Sequence, residues 1–406
     1  MDTKKLFNIK KRLLLEHLVK SKYLKDKRLF KAFLDVPLED FIPKKYMDPL
    51  KIYEDIPNLF YFLNPENYRT ISAPHMISIM LQGLSLKDDD DLLVLGAKSG
   101  YIASLAHKLA PNGEIIILEA NAEIAKITMQ NLKRLNLDDN ITVTVKNPLE
   151  GMLELSPWQK ILVTGAIKQE RIHPLLRQLD SNEGVLYAPI GEDYIQIYTQ
   201  ILRIKEEYFG KQQLQVRFTP LMTQVELDEI ELITDFEEYK NLDEIEVKQD
   251  PSKVESVLDK NEHKINIKYA SNILDEVDLE PTSKSEKKEI SIKERDIILS
   301  YFEKMLDILR ELKKQEDVEK CFEDIDEFEI HIDNLKKYKS KFQLKPKRFL
   351  NLLNQIRSYL IVRKDINKSS DTNSIEQKIE VINKQNEIVL DLEEFLESEI
   401  SRIKKL

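Results

Sequence analysis

The most informative stretch of the sequence runs from Asp91 to Tyr101, where an apolar run leads into a glycine-containing loop and then a helical pattern. Residues 92–95 are all aliphatic and lie between charge and glycine, which is typical of a short buried parallel strand. Glycine lets the backbone approach a ligand closely, and the first turn of the following helix presents N–H groups without helical partners. The stretch therefore predicts a nucleotide-binding turn between a strand and a helix.

A second apolar run, at residues 115–118, ends in Glu119. It follows the loop by about twenty residues, and a carboxylate at that spacing suits hydrogen bonds from the hydroxyl groups of a ribose. A glycine loop alone is weak support for a nucleotide site. Strand, loop, helix, strand and acid in this order together indicate a Rossmann-like half-site.

The alternation of helices and strands continues to residue 218, as an α/β domain requires. Further strands are predicted at 141–145, 161–164 and 185–190. The last two apolar runs, 194–204 and 214–218, are separated only by a charged turn that contains Gly210, and they predict an antiparallel hairpin. Seven strands with helices on both faces and a final hairpin are typical of a class I methyltransferase sheet, whereas a dehydrogenase would continue as strand, helix and strand.

Glycine and proline usage divides the chain. All nine glycines lie between Gly83 and Gly210, and twelve of the fifteen prolines lie at or before Pro220. The formal net charge is −10, and the acidic excess lies after residue 224. The predicted parts are an α/β domain at 1–224, an acidic segment and linker at 225–290, and a mostly α-helical domain at 291–406.

The C-terminal part carries no recognisable chemistry. Its helical patterns favour a small antiparallel bundle, in which the aliphatic residues form the core. The last helix spaces its aliphatic residues close to a heptad, so pairing with another chain as a coiled coil is the alternative. A protein partner or self-association through residues 291–406 therefore stays open.

Composition excludes several classes of protein. A single cysteine, Cys321, excludes an intramolecular disulfide framework and fits a reducing compartment. The N-terminus lacks a signal-peptide pattern, and no stretch is apolar enough to span a membrane, so the sequence predicts a cytoplasmic protein without a membrane partner. No group of residues has metal-ligand spacing, and a net charge of −10 offers no general attraction to nucleic acid.

Several separate stretches resemble the protein-L-isoaspartate O-methyltransferase family. Thr-Ile-Ser-Ala-Pro-His-Met at residues 70–76 is similar to the family signature Thr-Ile-Ser-x-Pro-x-Met and is the most specific match. The other matches occur in the family order, at 41–46, 53–55, 161–166 and 216–221. The resemblance covers about residues 5–224, and it implies transfer of a methyl group from S-adenosylmethionine to the α-carboxyl group of L-isoaspartyl residues in damaged proteins or peptides.

The resemblance also implies site residues. Ser72 would hold the substrate carboxylate, although as a residue it is also a natural helix N-cap, in front of Pro74. The expected substrate-binding residues are Thr70, Ile71 and His75, of which His75 has a structural polar contact as its alternative. The expected cofactor-binding residues are Gly96, Ala97, Ser99, Gly100, Glu119 and Asn147. No general base is expected, because a carboxylate with a pKa near 4 is already ionised at neutral pH.

Three departures from the family pattern fall in the cofactor pocket. Lys98 replaces the central glycine of the loop, Val94 replaces an acid, and Asn147 replaces an aspartate that contacts the adenine in relatives. All three remove negative charge or add positive charge near a cationic cofactor, unless the Lys98 side chain turns outward to solvent. Two hypotheses follow: an active repair methyltransferase, or a catalytically lapsed scaffold that acts through its helical half.

Overall fold

The computed structural model describes residues 3–65, 67–192, 194–223, 226, 244–258, 264–265, 291–315, 317–368 and 374–406. Most of the predicted acidic segment and linker lies outside these residues. The chain separates into two compact units, Met1–Thr282 and Ser283–Leu406. Among the described helices, none combines the length and the apolar character of a membrane span.

The first unit contains ten strands and seven α-helices among its described residues. The strands are β1 (Asn58–Asn64), β2 (Asn67–Ile71), β3 (Leu92–Leu95), β4 (Ile115–Glu119), β5 (Ile141–Val145), β6 (Lys160–Val163), β7 (Asn182–Glu192), β8 (Ile195–Ile204), β9 (Glu207–Val216) and β10 (Val247–Gln249). The helices are α1 (Thr3–Lys20), α2 (Lys27–Asp35), α3 (Pro74–Gly83), α4 (Tyr101–Leu109), α5 (Ala122–Arg134), α6 (His173–Arg177) and α7 (Pro251–Leu258).

The main sheet has the order β10-β9-β8-β7-β6-β3-β4-β5. Strands β7, β6, β3, β4 and β5 are parallel, and β8 and β9 close the sheet as an antiparallel hairpin. Residues of β3 and β4 are buried throughout, because helices cover both faces of a parallel sheet. The predicted Rossmann-like methyltransferase sheet is confirmed, and β1 and β2 form a separate antiparallel pair in front of α3.

The prediction of a turn containing Gly210 is wrong. The β8–β9 turn lies at Lys205 and Glu206, where Lys205 takes a left-handed backbone conformation with φ of 54°. Gly210 lies inside β9 opposite Ile201. Strand β9 begins at Glu207, before Gly210. The burial of the Phe209 side chain favours a strand here although charged residues surround it.

Part of the predicted linker is ordered structure. Strand β10 pairs in parallel with β9 at the edge of the sheet. Helix α7 follows directly, and its residues Val254 and Leu258 pack against Val185, Leu202 and Phe209. These apolar contacts bring residues 247–258 into the first unit, so the linker prediction does not hold for them.

The second unit is helical. Its helices are α8 (Ile292–Leu312), α9 (Val318–Lys336), α10 (Lys339–Phe342), α11 (Pro346–Lys368) and α12 (Ser374–Lys404). Phe349 contacts Phe302 of α8 and Phe395 of α12, with ring centroids 5.8 and 4.7 Å apart. Of the aliphatic residues predicted to be spaced close to a heptad in α12, Val389, Leu396 and Ile403 are buried in this unit.

Candidate functional site

The glycine turn after β3 requires glycine at both of its ends. Gly96 has φ of +91°, and a Cβ atom there would lie 2.5 Å from Oγ1 of Thr164. That hydroxyl donates a hydrogen bond to the Leu95 carbonyl at 2.8 Å, so it has little freedom to move. Gly100 has φ of +88° and is the N-cap residue of α4. The turn therefore brings its backbone to the carboxyl edge of the sheet with no side chain in front of it at either glycine.

Glu119, the last residue of β4, faces this turn. Its Oε2 accepts a hydrogen bond from the Ala97 N–H at 2.9 Å, and its Oε1 accepts one from the Asn121 N–H at 3.1 Å. Burial raises the pKa of Glu119, although the two N–H donors oppose that rise. A carboxylate has about four acceptor positions. Hydrogen bonds within the protein use two of them, so the predicted role in binding a ribose has two acceptor positions left.

Lys98 does not turn outward to solvent. Its side chain is buried, and its backbone is left-handed with φ of 44°. Burial, together with the nearby Arg69 guanidinium, lowers the pKa of the Lys98 ammonium to about 8, against the opposing effect of the Glu119 carboxylate. The replacement of the family's central glycine by Lys98 therefore places a positive charge in the glycine turn at neutral pH.

Two other predicted cofactor residues use their side chains within the protein. The Ser99 hydroxyl donates to the Phe41 carbonyl and accepts from Nδ2 of Asn131 at 2.9 Å, so it fixes the loop from behind. Asn147 lies beyond β5, where its Oδ1 accepts from the Leu149 N–H at 3.0 Å. The cofactor-binding roles of both residues stay predictions. For Ser99, only the backbone would contact the cofactor, because its hydroxyl is used within the protein.

Ser72 is not the N-cap of α3. The helix begins at Pro74, its N-cap residue is Ala73, and the cap makes no side-chain hydrogen bond. Instead, Oδ1 of Asp55 accepts a hydrogen bond from the His75 N–H at 2.9 Å. Because Asp55 satisfies the first turn of the helix, the buried Ser72 side chain is not needed as a cap, and its substrate role stays a prediction.

The other predicted substrate residues lie around Ser72. Nδ1 of His75 is 2.9 Å from Oδ1 of Asp55, which supports the structural alternative for this histidine. Ile71 is fully buried in the core, so only its backbone can reach a ligand. Thr70 is half-buried on β2 opposite Leu59. Substrate binding by these three residues stays a prediction.

We expect Asp55→Ala to destabilise the first unit by about 1 kcal/mol, the usual cost of losing a helix cap. Burial raises the pKa of Asp55, but the hydrogen bonds and charge of His75 outweigh it and hold this pKa below its ordinary value. Since the folded pKa is depressed, the contribution is complete above pH ~4 and disappears as the pH falls through the folded value. Thermal unfolding of the full chain at several pH values measures both effects.

The matched control is Asp48→Ala, in the same segment, where the exposed carboxylate accepts only a local hydrogen bond from the Leu50 N–H. An equal loss of stability in both variants, or a loss for Asp55→Ala that persists unchanged at pH 3, would contradict the capping role.

Sequence reasoning missed a group of charges next to the corner. Arg69 precedes the signature and pairs with Glu226, with Nη2 to Oε2 at 2.8 Å. Asn121, just after β4, donates to Oε1 of Glu226 at 3.4 Å. The position of Arg69 beside the signature was the one visible signal, but its partner lies 157 residues away. Across the described residues, no group of three or more His, Cys, Asp or Glu is arranged to hold a metal ion.

The parallel sheet, the glycine turn with its acid and the closing hairpin define a Rossmann-like methyltransferase domain. The family model described as protein-L-isoaspartate (D-aspartate) O-methyltransferase matches residues 9–226, more than half of the chain, and the protein belongs to that family. The domain is thus an S-adenosylmethionine-dependent enzyme that methylates L-isoaspartyl residues of proteins.

Individual relatives agree with the family. The chain is 34% identical over 215 residues to protein-L-isoaspartate O-methyltransferase of Ignicoccus hospitalis, covering 52% of this chain and 97% of the relative. It is 31% identical over 223 residues to that of Staphylothermus marinus, covering 53% and 95%. A solved protein-L-isoaspartate O-methyltransferase is 25% identical, with a TM-score of 0.47, and the match covers 52% of this chain and 65% of that one.

Proposed function

We propose that the protein performs this repair reaction with its cofactor at the Glu119 corner and the substrate carboxylate at Ser72. The observation that carries the proposal is that the signature strand meets the glycine turn. Strand β2, which carries Arg69 and the start of the signature, packs against the turn at Lys98–Gly100. This packing supports the proposal that the residues implied for the substrate and for the cofactor share one site.

The chemistry asks for alignment more than for acid or base. S-adenosylmethionine, when bound, supplies an electrophilic methyl group on a positively charged sulfur. Glu119 would hold the ribose, and Gly96 leaves the space that a close approach to the turn requires. Ser72 would donate a hydrogen bond to one oxygen of the substrate carboxylate and orient the other toward the methyl carbon, which is catalysis by positioning. Exclusion of water favours a step in which opposite charges are neutralised.

The direct test is methylation of a peptide that contains L-isoaspartate, compared with the same peptide containing L-aspartate. We expect methyl transfer to the first peptide only.

The second candidate function, a catalytically lapsed scaffold, is favoured by the buried ammonium of Lys98. Calorimetry with S-adenosylmethionine decides between them, because a scaffold would bind neither this cofactor nor S-adenosylhomocysteine.

We expect Ser72→Ala to lower kcat/KM for the isoaspartyl peptide about tenfold, the value of one hydrogen bond to a charged group. Steady-state methylation measures this change. Ser72→Thr keeps the hydroxyl and is the matched control, for which we expect partial activity. Equal activity of wild type and Ser72→Ala would remove Ser72 from the site.

The compartment and the partners are less closely tied to the site. The thiol of Cys321 is free and buried, which supports the proposal of a reducing compartment such as the cytoplasm.

Self-association through residues 291–406 is a further proposal. Since the heptad-like residues of α12 are already partly used in its own unit, exposed residues such as Ile379 and Leu390 would carry it. Sedimentation of the full chain and of Leu390→Lys tests it, with a monomer at all concentrations as the contrary result.

A further inference from the structure

Four charged side chains are buried together at the cofactor corner. Arg69, Lys98, Glu119 and Glu226 are each no more than 8% exposed. Burying a charge is costly unless an opposite charge and hydrogen bonds compensate it. Lys98 belongs to the glycine turn, and Glu119 is the last residue of β4. The presence of Arg69 and Glu226 is explained neither by the fold nor by the methyl transfer.

Glu226 links Arg69 to Asn121, the residue that follows the strand ending in Glu119. Nη2 of Arg69 donates to both oxygens of Glu226, at 3.0 and 2.8 Å. The Thr223 N–H donates to Oε2 of the same carboxylate at 2.7 Å. Asn121 then joins the two acids, because its side chain donates to Glu226 at 3.4 Å while its backbone N–H donates to Glu119 at 3.1 Å.

The charges of this group matter because the cofactor carries its own. The formal charges of two cations and two carboxylates sum to zero. Without Glu226, the sum would be positive, since Lys98 and Arg69 would face Glu119 alone. A positive, buried corner repels a sulfonium ion, and the acid that the family usually has at the Val94 position is missing here.

We propose that Glu226 is a specificity-determining residue of the cofactor site, whose carboxylate neutralises Arg69 and so lets this corner accept a sulfonium ligand. Glu226 follows β9 and is the last residue of the family match, at the start of the segment that the sequence assigns to the acidic linker. Glu226 would thereby supply a negative charge that balances the positive charge gained at Lys98. The proposal rests on the proposed cofactor site at Glu119.

A pair of ligands separates charge from fit. S-adenosylhomocysteine lacks the methyl group and the positive sulfur of S-adenosylmethionine but shares its adenosine and amino-acid ends. Removing one negative charge from the site should therefore weaken the binding of S-adenosylmethionine more than the binding of S-adenosylhomocysteine. We expect Glu226→Gln to lower the affinity for S-adenosylmethionine about tenfold relative to the affinity for S-adenosylhomocysteine. This is the usual effect of one charge at moderate distance in a partly buried site.

The experiment is calorimetry of the full chain with each ligand at pH 7. Glu226→Gln leaves Arg69 without its counter-charge, whereas Arg69→Gln combined with Glu226→Gln restores a neutral corner. We expect the double variant to regain the wild-type affinity ratio, which also keeps the test sound if the single variant folds poorly. Glu206→Gln, an 89% exposed carboxylate on the β8–β9 turn, is the control and should change neither affinity.

The outcomes are distinct. A ratio that falls in Glu226→Gln and recovers in the double variant supports the proposal. Equal weakening of both ligands would mean that Glu226 only holds the fold, and it would overturn the proposal while leaving the methyltransferase site intact. If the wild-type chain binds neither ligand, the proposed cofactor site fails, and the role of Glu226 fails with it.

Discussion

Replacing Glu119 by glutamine should lower the affinity for S-adenosylmethionine about 100-fold, which corresponds to about 2.7 kcal/mol. Two losses combine in this variant. The carboxylate would accept hydrogen bonds from the ribose, and hydrogen bonds to charged groups contribute about 1.5–3 kcal/mol each. Its negative charge also opposes Lys98 and attracts the sulfonium ion. A glutamine keeps the shape of the side chain but carries no charge and offers one acceptor oxygen.

The glycine turn would change as well. In the wild type, one oxygen of Glu119 accepts from Ala97 and the other from Asn121. The amide NH2 group of a glutamine would point a donor at one of these N–H groups and lose that hydrogen bond. We therefore expect S-adenosylhomocysteine to bind more weakly too, although less so than S-adenosylmethionine.

Calorimetry with both ligands measures the effect of Glu119→Gln. Glu114→Gln is the matched control, because Glu114 is a buried carboxylate just before the opposite end of the same strand. It should affect stability but not the affinity for the cofactor. Similar losses of affinity in the two variants would show that the effect comes from folding, and near-wild-type binding by Glu119→Gln would place the ribose elsewhere.

Local patterns predicted the strand, the glycine turn and the facing acid well. A four-residue aliphatic strand, a glycine loop and an acid after the next strand depend on neighbours in the chain, and the structure brings them together at one edge of the sheet. The start of α3 was not predictable in the same way. Ser72 is a good N-cap by residue type, but Asp55, which lies in another segment, satisfies the helix instead.

The remaining misses share a long-range cause. Glycine in a charged stretch suggested a turn at Gly210, whereas burial of Phe209 against α7 extends the strand through it. The pairing of Arg69 with Glu226 joins residues from opposite ends of the domain, and neither residue type signals a partner by itself. Nor does one sequence reveal the direction of the Lys98 side chain, because that depends on the packing around the turn.

The second large effect is expected from Lys98→Gly, which should raise the affinity for S-adenosylmethionine about 30-fold. At an effective dielectric constant of about 20, two like charges about 8 Å apart repel by about 2 kcal/mol. Glycine removes the ammonium and accepts the left-handed backbone that costs a lysine about 1 kcal/mol or more. Lys98→Met keeps the bulk without the charge, and Lys98→Arg keeps the charge, so the three variants separate repulsion from crowding.

The wild-type protein should show the same effect on a change of pH. Because burial lowers the pKa of Lys98 to about 8, its ammonium group is charged below that pH and neutral above it. The affinity for S-adenosylmethionine relative to S-adenosylhomocysteine should therefore rise between pH 7 and pH 9. The amino groups of both ligands titrate near pH 8 as well, but they are shared and cancel in the ratio. In Lys98→Gly the ratio should stay flat, and an equal rise in that variant would assign the titration to another group.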